Sequence, residues 1–246
     1  ELSAAEQWGG DYRASIAASR RALAILPERG DRDAILRRST AYDLLAEGIY
    51  YLRDEKAAIP PYREALRIAE RAAAAYPGDQ IVKRHVARAQ WALGTTLLGN
   101  GGDAEALLLL ENSAAAIAAI AAADPADADA ARMLRIAENA RAQALAANGR
   151  VDEAVAIFSK GVAEREALWR ARADEPILLR DYMVAMKGLG DLLADHGHAA
   201  QGCIRYRQTQ MLLARIARER RLTGLDVSDT SVDLERRMKR YCSIRT

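Results

Sequence analysis

The chain has 246 residues, enough for one large domain or two small ones with a sizeable core. Half of the residues are apolar, aromatics make up only 5%, and Ala, Leu, Arg and Glu dominate, which is the composition of long helices and argues against sheets. The net charge of +2 hides an asymmetry: the segment from Cys203 to Thr246 holds eleven Arg or Lys against five Asp or Glu, so it carries +6 and the remainder about −4.

The chain opens at Glu1, with neither an initiator Met nor a signal-peptide core, and is expected to belong to a longer or processed protein. Prolines at 27, 60, 61, 77, 125 and 176 leave long stretches for helices. The longest apolar run, AAAIAAIAAA (114–123), is too short and too Ala-rich to cross a bilayer, so no membrane partner is expected. Cys203 and Cys242 read as separate thiols of a reducing compartment, consistent with a cytoplasmic protein; a single bridge is the alternative.

Four segments align without a gap at a spacing of 48 residues: 46-AEGIYYLRDEKAAIPPY-62, 94-GTTLLGNGGDAEALLLL-110, 142-AQALAANGRVDEAVAIF-158 and 190-GDLLADHGHAAQGCIRY-206. Each starts on a small residue (Ala46, Gly94, Ala142, Gly190) and reaches a turn position seven later (Arg53, Gly101, Gly149, Gly197). A second small residue follows (Ala58, Ala106, Ala154, Gly202), then a large one (Tyr62, Leu110, Phe158, Tyr206). Two antiparallel helices need this pattern. The first small residue lets the partner helix approach, the turn residue ends helix A in the left-handed conformation, and the second small residue packs into the gap. The large residue fills the space towards the next hairpin. The links LPERGD (26–31), YPGD (76–79), DPAD (124–127) and DEP (174–176) separate the hairpins, and their Asp or Glu can cap the incoming helix.

Small, glycine, small and aromatic at these offsets resemble the tetratricopeptide repeat (TPR), whose W/Y-x2-L-G signature is partly present as 42-YDLLA-46 and 90-QWALG-94. The resemblance spans residues 31–221 as four repeats, and 10-GDYRASIAAS-19 is similar to the second helix of a fifth. TPR units have about 34 residues, so the longer period implies helices nearly two turns longer. The third repeat departs most, with Arg141 where the pattern prefers Leu. The fold implied is an all-α, right-handed TPR-like α-α superhelix of antiparallel hairpins. Residues 1–246 divide into a partial repeat (1–30), hairpins over 31–78, 79–126, 127–175 and 176–222, and a capping helix within 226–246. The "GDxAxAL" turns and "AAADPAD" links further resemble the C-terminal arrays of bacterial serine/threonine protein kinases. That resemblance implies a catalytic part upstream of Glu1, since no Gly-rich loop, HRD or DFG occurs here.

195-DHGHAAQGC-203 gathers two of the three histidines with an Asp and a Cys. Zinc would need three or four ligands converging at about 2.0–2.3 Å. His196 and His198 flank the Gly197 turn and diverge, so an exposed polar turn is expected and no metal. Likewise 99-GNGGD-103 lacks the Lys-Ser/Thr of a phosphate loop, and Asp152/Glu153 and Glu164/Glu166 read as helix-surface ion pairs. No catalytic residue and no cofactor is expected.

Stacked hairpins line a concave surface with helix A residues. In register these are Thr40, Asp43, Glu47 and Tyr50; Arg88, Trp91, Thr95 and Leu98; Ile136, Asn139, Gln143 and Ala146; and Val184, Lys187, Asp191 and Ala194. Arg88, Asn139 and Lys187 suggest an incomplete carboxylate clamp. Trp91, Tyr50 and Tyr51 suggest an apolar floor for a peptide, with Asp43, Glu47 and Asp191 at its rim favouring a basic or amphipathic ligand. The alternative is that Trp91 and the tyrosines only pack between helices. Thr230 and Asp233 resemble a capping box for a last helix over about 230–242; Val232, Leu234 and Met238 would cover the open end, and Arg236, Arg237, Lys239 and Arg240 would face outward. The expected role is recognition of a protein or peptide, or of its own missing N-terminal domain, by an arm of a larger bacterial signalling protein. The other readings are an adaptor that self-associates through its ends and a nucleic-acid-responsive regulator using the basic C-terminus.

Overall fold

The computed structural model of the protein describes residues 11–28, 30–219, 221–224 and 226–242. Residues 1–10 of the partial first repeat and 243–246 of the capping segment lie outside the described residues. Among these, ten α-helices follow one another without a strand: α1 (Tyr12–Ile25), α2 (Arg32–Tyr51), α3 (Glu55–Ala75), α4 (Gln80–Leu97), α5 (Asp103–Ala123), α6 (Ala128–Ala147), α7 (Val151–Ala171), α8 (Pro176–Asp195), α9 (Ala199–Arg218) and α10 (Ser231–Tyr241). A π-helical turn, Asp226–Thr230, leads into α10. Contacts divide the chain into two compact units, Glu1–Asn148 and Gly149–Thr246.

Within each unit consecutive helices pack on one another, and the repeat positions explain how closely. Gly101, Gly149 and Gly197 turn with φ of 88°, 81° and 90°, and Arg53 takes the same left-handed conformation at 67°. The helix pairs then close on side chains of minimal size. Ala46, Ala58 and Ala106 are fully buried. A Cβ on Gly94 would meet Leu110 Cγ at 2.7 Å, and one on Gly202 would meet the Gly190 carbonyl oxygen at 2.8 Å. Leu110 also packs on Ala140 and Ala144 of α6, and the Phe158 ring on Gly188, so the large residue that ends each unit does fill the gap to the following hairpin.

The links cap as their acids predict, with one exception. Asp31, Asp79 and Asp127 accept hydrogen bonds from the backbone amides of Ala34, Ile81 with Val82, and Ala130. Glu175 makes no side-chain cap; its longer side chain pairs with Arg172 at 3.2 Å, and Pro176 starts α8 with a pre-set φ and no amide to satisfy. Buried hydroxyls stitch the hairpins at one repeat position. Ser39 of α2 donates to the Ala65 carbonyl of α3 at 2.8 Å, and one period later Ser113 of α5 donates to the Ala87 carbonyl of α4 at 2.7 Å. The donor has changed helix while the bridge has kept its place.

The ten-residue run 114–123 understates the helix that contains it. With 21 residues and a mean hydropathy of 1.8 over its most apolar 18-residue stretch, α5 is long and apolar enough by composition to span a membrane. Here it packs against α4 and α6, burying Ala106, Leu110, Ile117 and Ile120.

Candidate functional site

The candidate residues of the first unit lie on α2, α4 and α6. Asp43 is 7% exposed, and its carboxylate meets Arg88 at 3.0 Å. Burial pushes the Asp43 carboxyl above its ordinary range, against the pull of the Arg88 charge. The arginine itself is half exposed at 52%. Beside the pair opens a cavity of about 230 Å³ lined by Thr40, Asp43, Ile81, His85, Arg88 and Met133, among others. Thr40 Oγ1 lies 3.3 Å from His85 Nε2, and burial lowers the His85 pKa, which favours the neutral ring at neutral pH. Arg84, also on the wall, is paired with Asp127.

The aromatic floor is mostly taken up by packing. Trp91 is half-buried against the clusters around Leu93 and Leu110, and its indole Nε1 is enclosed without a hydrogen-bond acceptor. Tyr50 packs on the Leu93 cluster and stands edge-on to Tyr51, which in turn stacks on Tyr12 of α1 at 4.9 Å. Thr95 donates to the Trp91 and Ala92 carbonyls of its own helix, at 2.9 and 3.0 Å. Glu47 is half-buried one turn beyond Asp43; burial, and then the charges of Asp43 and Glu47, push the Tyr62 phenol up. Asn139 is half-buried on α6, and Gln143 is exposed. Structure therefore brings Asp43 and Arg88 together but does not join them to Trp91 in one polar site. His85 and Met133 were not expected. Both occupy one repeat position, 48 residues apart, a turn N-terminal to the stripe chosen from sequence.

In the second unit the candidate pair is already engaged. Lys187 binds Asp191 at 2.8 Å and also Asp233 of α10. Arg237 of α10 reaches Asp191 Oδ1 at 3.1 Å and Asp195 Oδ2 at 2.9 Å, and the Tyr241 hydroxyl donates to Asp195 Oδ1 at 2.6 Å. With Arg88 and Lys187 both neutralised by acids of this chain, the carboxylate clamp has no preset cationic pair.

Four expectations for the C-terminus need correction. Thr230 makes no capping hydrogen bond, because its backbone is helical (φ −61°, ψ −47°) and the preceding π turn runs directly into α10. Asp233 instead serves Lys187, Arg236 and Arg237. Arg237 points inward, its side chain only 24% exposed, while Val232 is 60% exposed and takes no part in covering the end. Leu234 and Met238 do pack there, on Ala194 and Tyr206. Finally, Cys203 and Cys242 are joined in a disulfide, with Cα atoms 5.3 Å apart. Cys203 is thereby lost as a metal ligand, and His196 and His198 stand exposed on the Gly197 turn.

No protein-family model matches the chain, and no curated protein does. Solved structures do. The nearly identical TPR-like repeats of a Podosopora anserina putative kinesin light chain, in a variant form, superpose with a TM-score of 0.60 at 19% identity, over 88% of this chain and 93% of that one. BtubC (BKLC) from P. vanneervenii gives 0.57 at 16%, over 93% and 83%. The apo form of RapI gives 0.57 at 12%, over 97% and 82%. The chain has an all-helical, TPR-like repeat fold of the α-α superhelix class.

Proposed function

We propose that the chain is a non-catalytic recognition arm. It holds a peptide or protein segment on the face formed by α2, α4 and α6, as part of a larger bacterial signalling protein such as a serine/threonine kinase working in the cytoplasm. The observation that supports this most is the cavity between those helices. It offers apolar walls from Ile81 and Met133 to an incoming side chain, and a buried carboxylate, Asp43, whose arginine partner is half exposed and so able to swing towards a ligand. The kinase setting rests on the likeness of the DPAD links and GD turns to kinase-borne arrays.

Photo-crosslinking in the native cells tests the surface. A crosslinking residue in place of Arg88 or Gln143 should capture a protein, and one in place of Leu108, exposed on α5, should not. Capture only from Leu108 would move the interface to the opposite helices. Intact mass of the native species tests the setting, because a protein no longer than these 246 residues would remove the kinase.

A further inference from the structure

The face of α8 that carries Lys187, Asp191 and Asp195 is roofed by α10, and its polar groups pair with that helix as well as with one another. Arg237 lies between the two aspartates, Tyr241 closes on Asp195, and Asp233 meets Lys187. The apolar part of the contact is small. Leu234, 2% exposed, is the one buried residue of α10, and Met238 packs beside it. A helix of eleven residues is too short to persist unsupported. What ties it down covalently is the bridge from Cys203 on α9 to Cys242, directly after the last residue of α10. Cys203 is buried and Cys242 half-buried, so the bridge is approached from the Cys242 side.

We propose that this face of α8 is a docking site for a basic amphipathic helix, that α10 is its built-in occupant, and that the Cys203–Cys242 bridge decides whether a partner's helix can replace it. The chemistry of the partner is set by what fits now. It needs one apolar residue in the Leu234 position, a second four residues on, and between them an arginine facing Asp191 and Asp195. A helix with those features meets a surface of opposite charge around a shallow apolar seat. Opening requires a dithiol reductant. Its thiolate attacks Cys242 Sγ, the S–S bond breaks, and Cys203 leaves as a thiolate and takes a proton. The second thiol resolves the mixed disulfide, so Cys242 is released as a thiol and the reductant becomes the disulfide, with two electrons and two protons transferred. Once free of the bridge, α10 is held by Leu234, Met238 and Tyr241 and by largely buried ion pairs, whose attraction is mostly offset by the cost of desolvating them.

The experiment uses the full chain, oxidised and after dithiothreitol, with thiols counted by alkylation. On reduction, amide exchange over 231–241 should accelerate about 100-fold while 176–195 and 199–218 stay protected. The Cys242→Ser chain should match the reduced state with or without reductant. A fluorescent peptide of residues 226–242 carrying Cys242→Ser is the docking probe. It should bind a chain with Cys242→Ser and Leu234→Asp, whose own helix cannot compete, and fail to bind the oxidised wild type; the same peptide with Arg237→Glu should not bind either. Unchanged exchange in a chain with both thiols alkylated would overturn the latch. So would loss of protection throughout 176–218, which would make the bridge a staple of the whole hairpin. A probe that ignores the double variant, or binds without regard to Arg237, would overturn the docking site.

Discussion

Arg237 stands to Asp191 as Arg88 stands to Asp43. The nitrogen–oxygen distances are 3.1 and 3.0 Å, the acids sit at corresponding faces of α8 and α2, and the arginines follow 46 and 45 residues later. Burial pushes both aspartates upward, and the arginine opposes it in both. α10 therefore occupies beside α8 the place that α4 occupies beside α2. The two ion pairs are alike but lie one turn apart in the repeat, since Asp43 is in register with Lys187 and Asp191 with Glu47.

That equivalence makes Arg237 more than a surface charge. Arg237→Ala leaves Asp191 with Lys187 alone and takes a cation from Asp195 and Asp233, and should lower the unfolding free energy by about 2 kcal/mol. Asp191→Ala combined with Arg237→Ala should cost less than the sum of the two single changes, because both single changes remove the same Asp191–Arg237 contact. Urea unfolding of the three variants measures this, and strict additivity would show that the pair is uncoupled.

Acid should loosen the same corner. Burial works against the Asp233 charge, yet Lys187, Arg236 and Arg237 hold its carboxyl down at about 2. The unfolded value is about 3.9, so the folded pKa is the lower one. Its stabilisation is complete above about pH 4 and disappears as pH falls towards 2, a contribution on the order of 1 kcal/mol after screening. Asp195, also held low, acts in the same direction; Asp191, raised by burial, acts oppositely. Unfolding followed from pH 5 down to 2.5 should show a shallower loss in Asp233→Asn than in the wild type. Parallel curves would remove Asp233 from the linkage.

Glycines at the helix contacts should be far less replaceable than those in the links. Gly202→Ala places a methyl 2.8 Å from the Gly190 carbonyl oxygen and 2.8 Å from Ala194 Cβ, so backbone must move, at a cost of about 1–3 kcal/mol. Gly78→Ala meets nothing within 4 Å and does not sit at positive φ; it should be neutral or slightly stabilising. Thermal unfolding of the two variants decides, and equal melting temperatures would mean that α8 and α9 have slack the distances do not show.

Most of the hairpin architecture was legible because it depends on size and backbone conformation, which single residues report directly. Gly101, Gly149 and Gly197 mark turns, Ala58 and Ala106 mark close approach, and Asp79 marks a cap. The charges were less legible. Whether Arg88 or Arg237 faces solvent depends on an acid 45 or 46 residues away, at a separation shorter than the repeat, and a stripe drawn along one helix does not show its neighbour. Reading Arg237 as outward and Asp233 as a cap followed from that. The Cys203–Cys242 bridge was hidden for the same reason, since it becomes geometrically natural only once α10 is recognised as the next helix in the stack. On the candidate surface, register named Asp43 and Arg88 for separate roles, rim and clamp, where the structure buries Asp43 against Arg88, and His85 and Met133 lay one turn outside the chosen stripe.

The first hairpin departs from the others at a point where the departure can be reversed. Arg53 holds φ of 67° at the position where Gly101, Gly149 and Gly197 stand, and it is the one non-glycine with positive φ among the described residues. Its amide still donates to the Tyr50 carbonyl at 2.9 Å, so the turn forms despite the side chain. A left-handed conformation costs a residue with a Cβ roughly 1–2 kcal/mol. Arg53→Gly removes that cost but gives the unfolded chain more freedom to lose, which offsets part of the gain. The variant should therefore be more stable by up to about 1 kcal/mol. Gly149→Ala, imposing the same conformation in reverse, should be less stable by a similar amount. If Arg53→Gly is instead destabilised in urea, interactions of the arginine side chain must outweigh the strain of its backbone, and the first turn would owe its shape to that side chain.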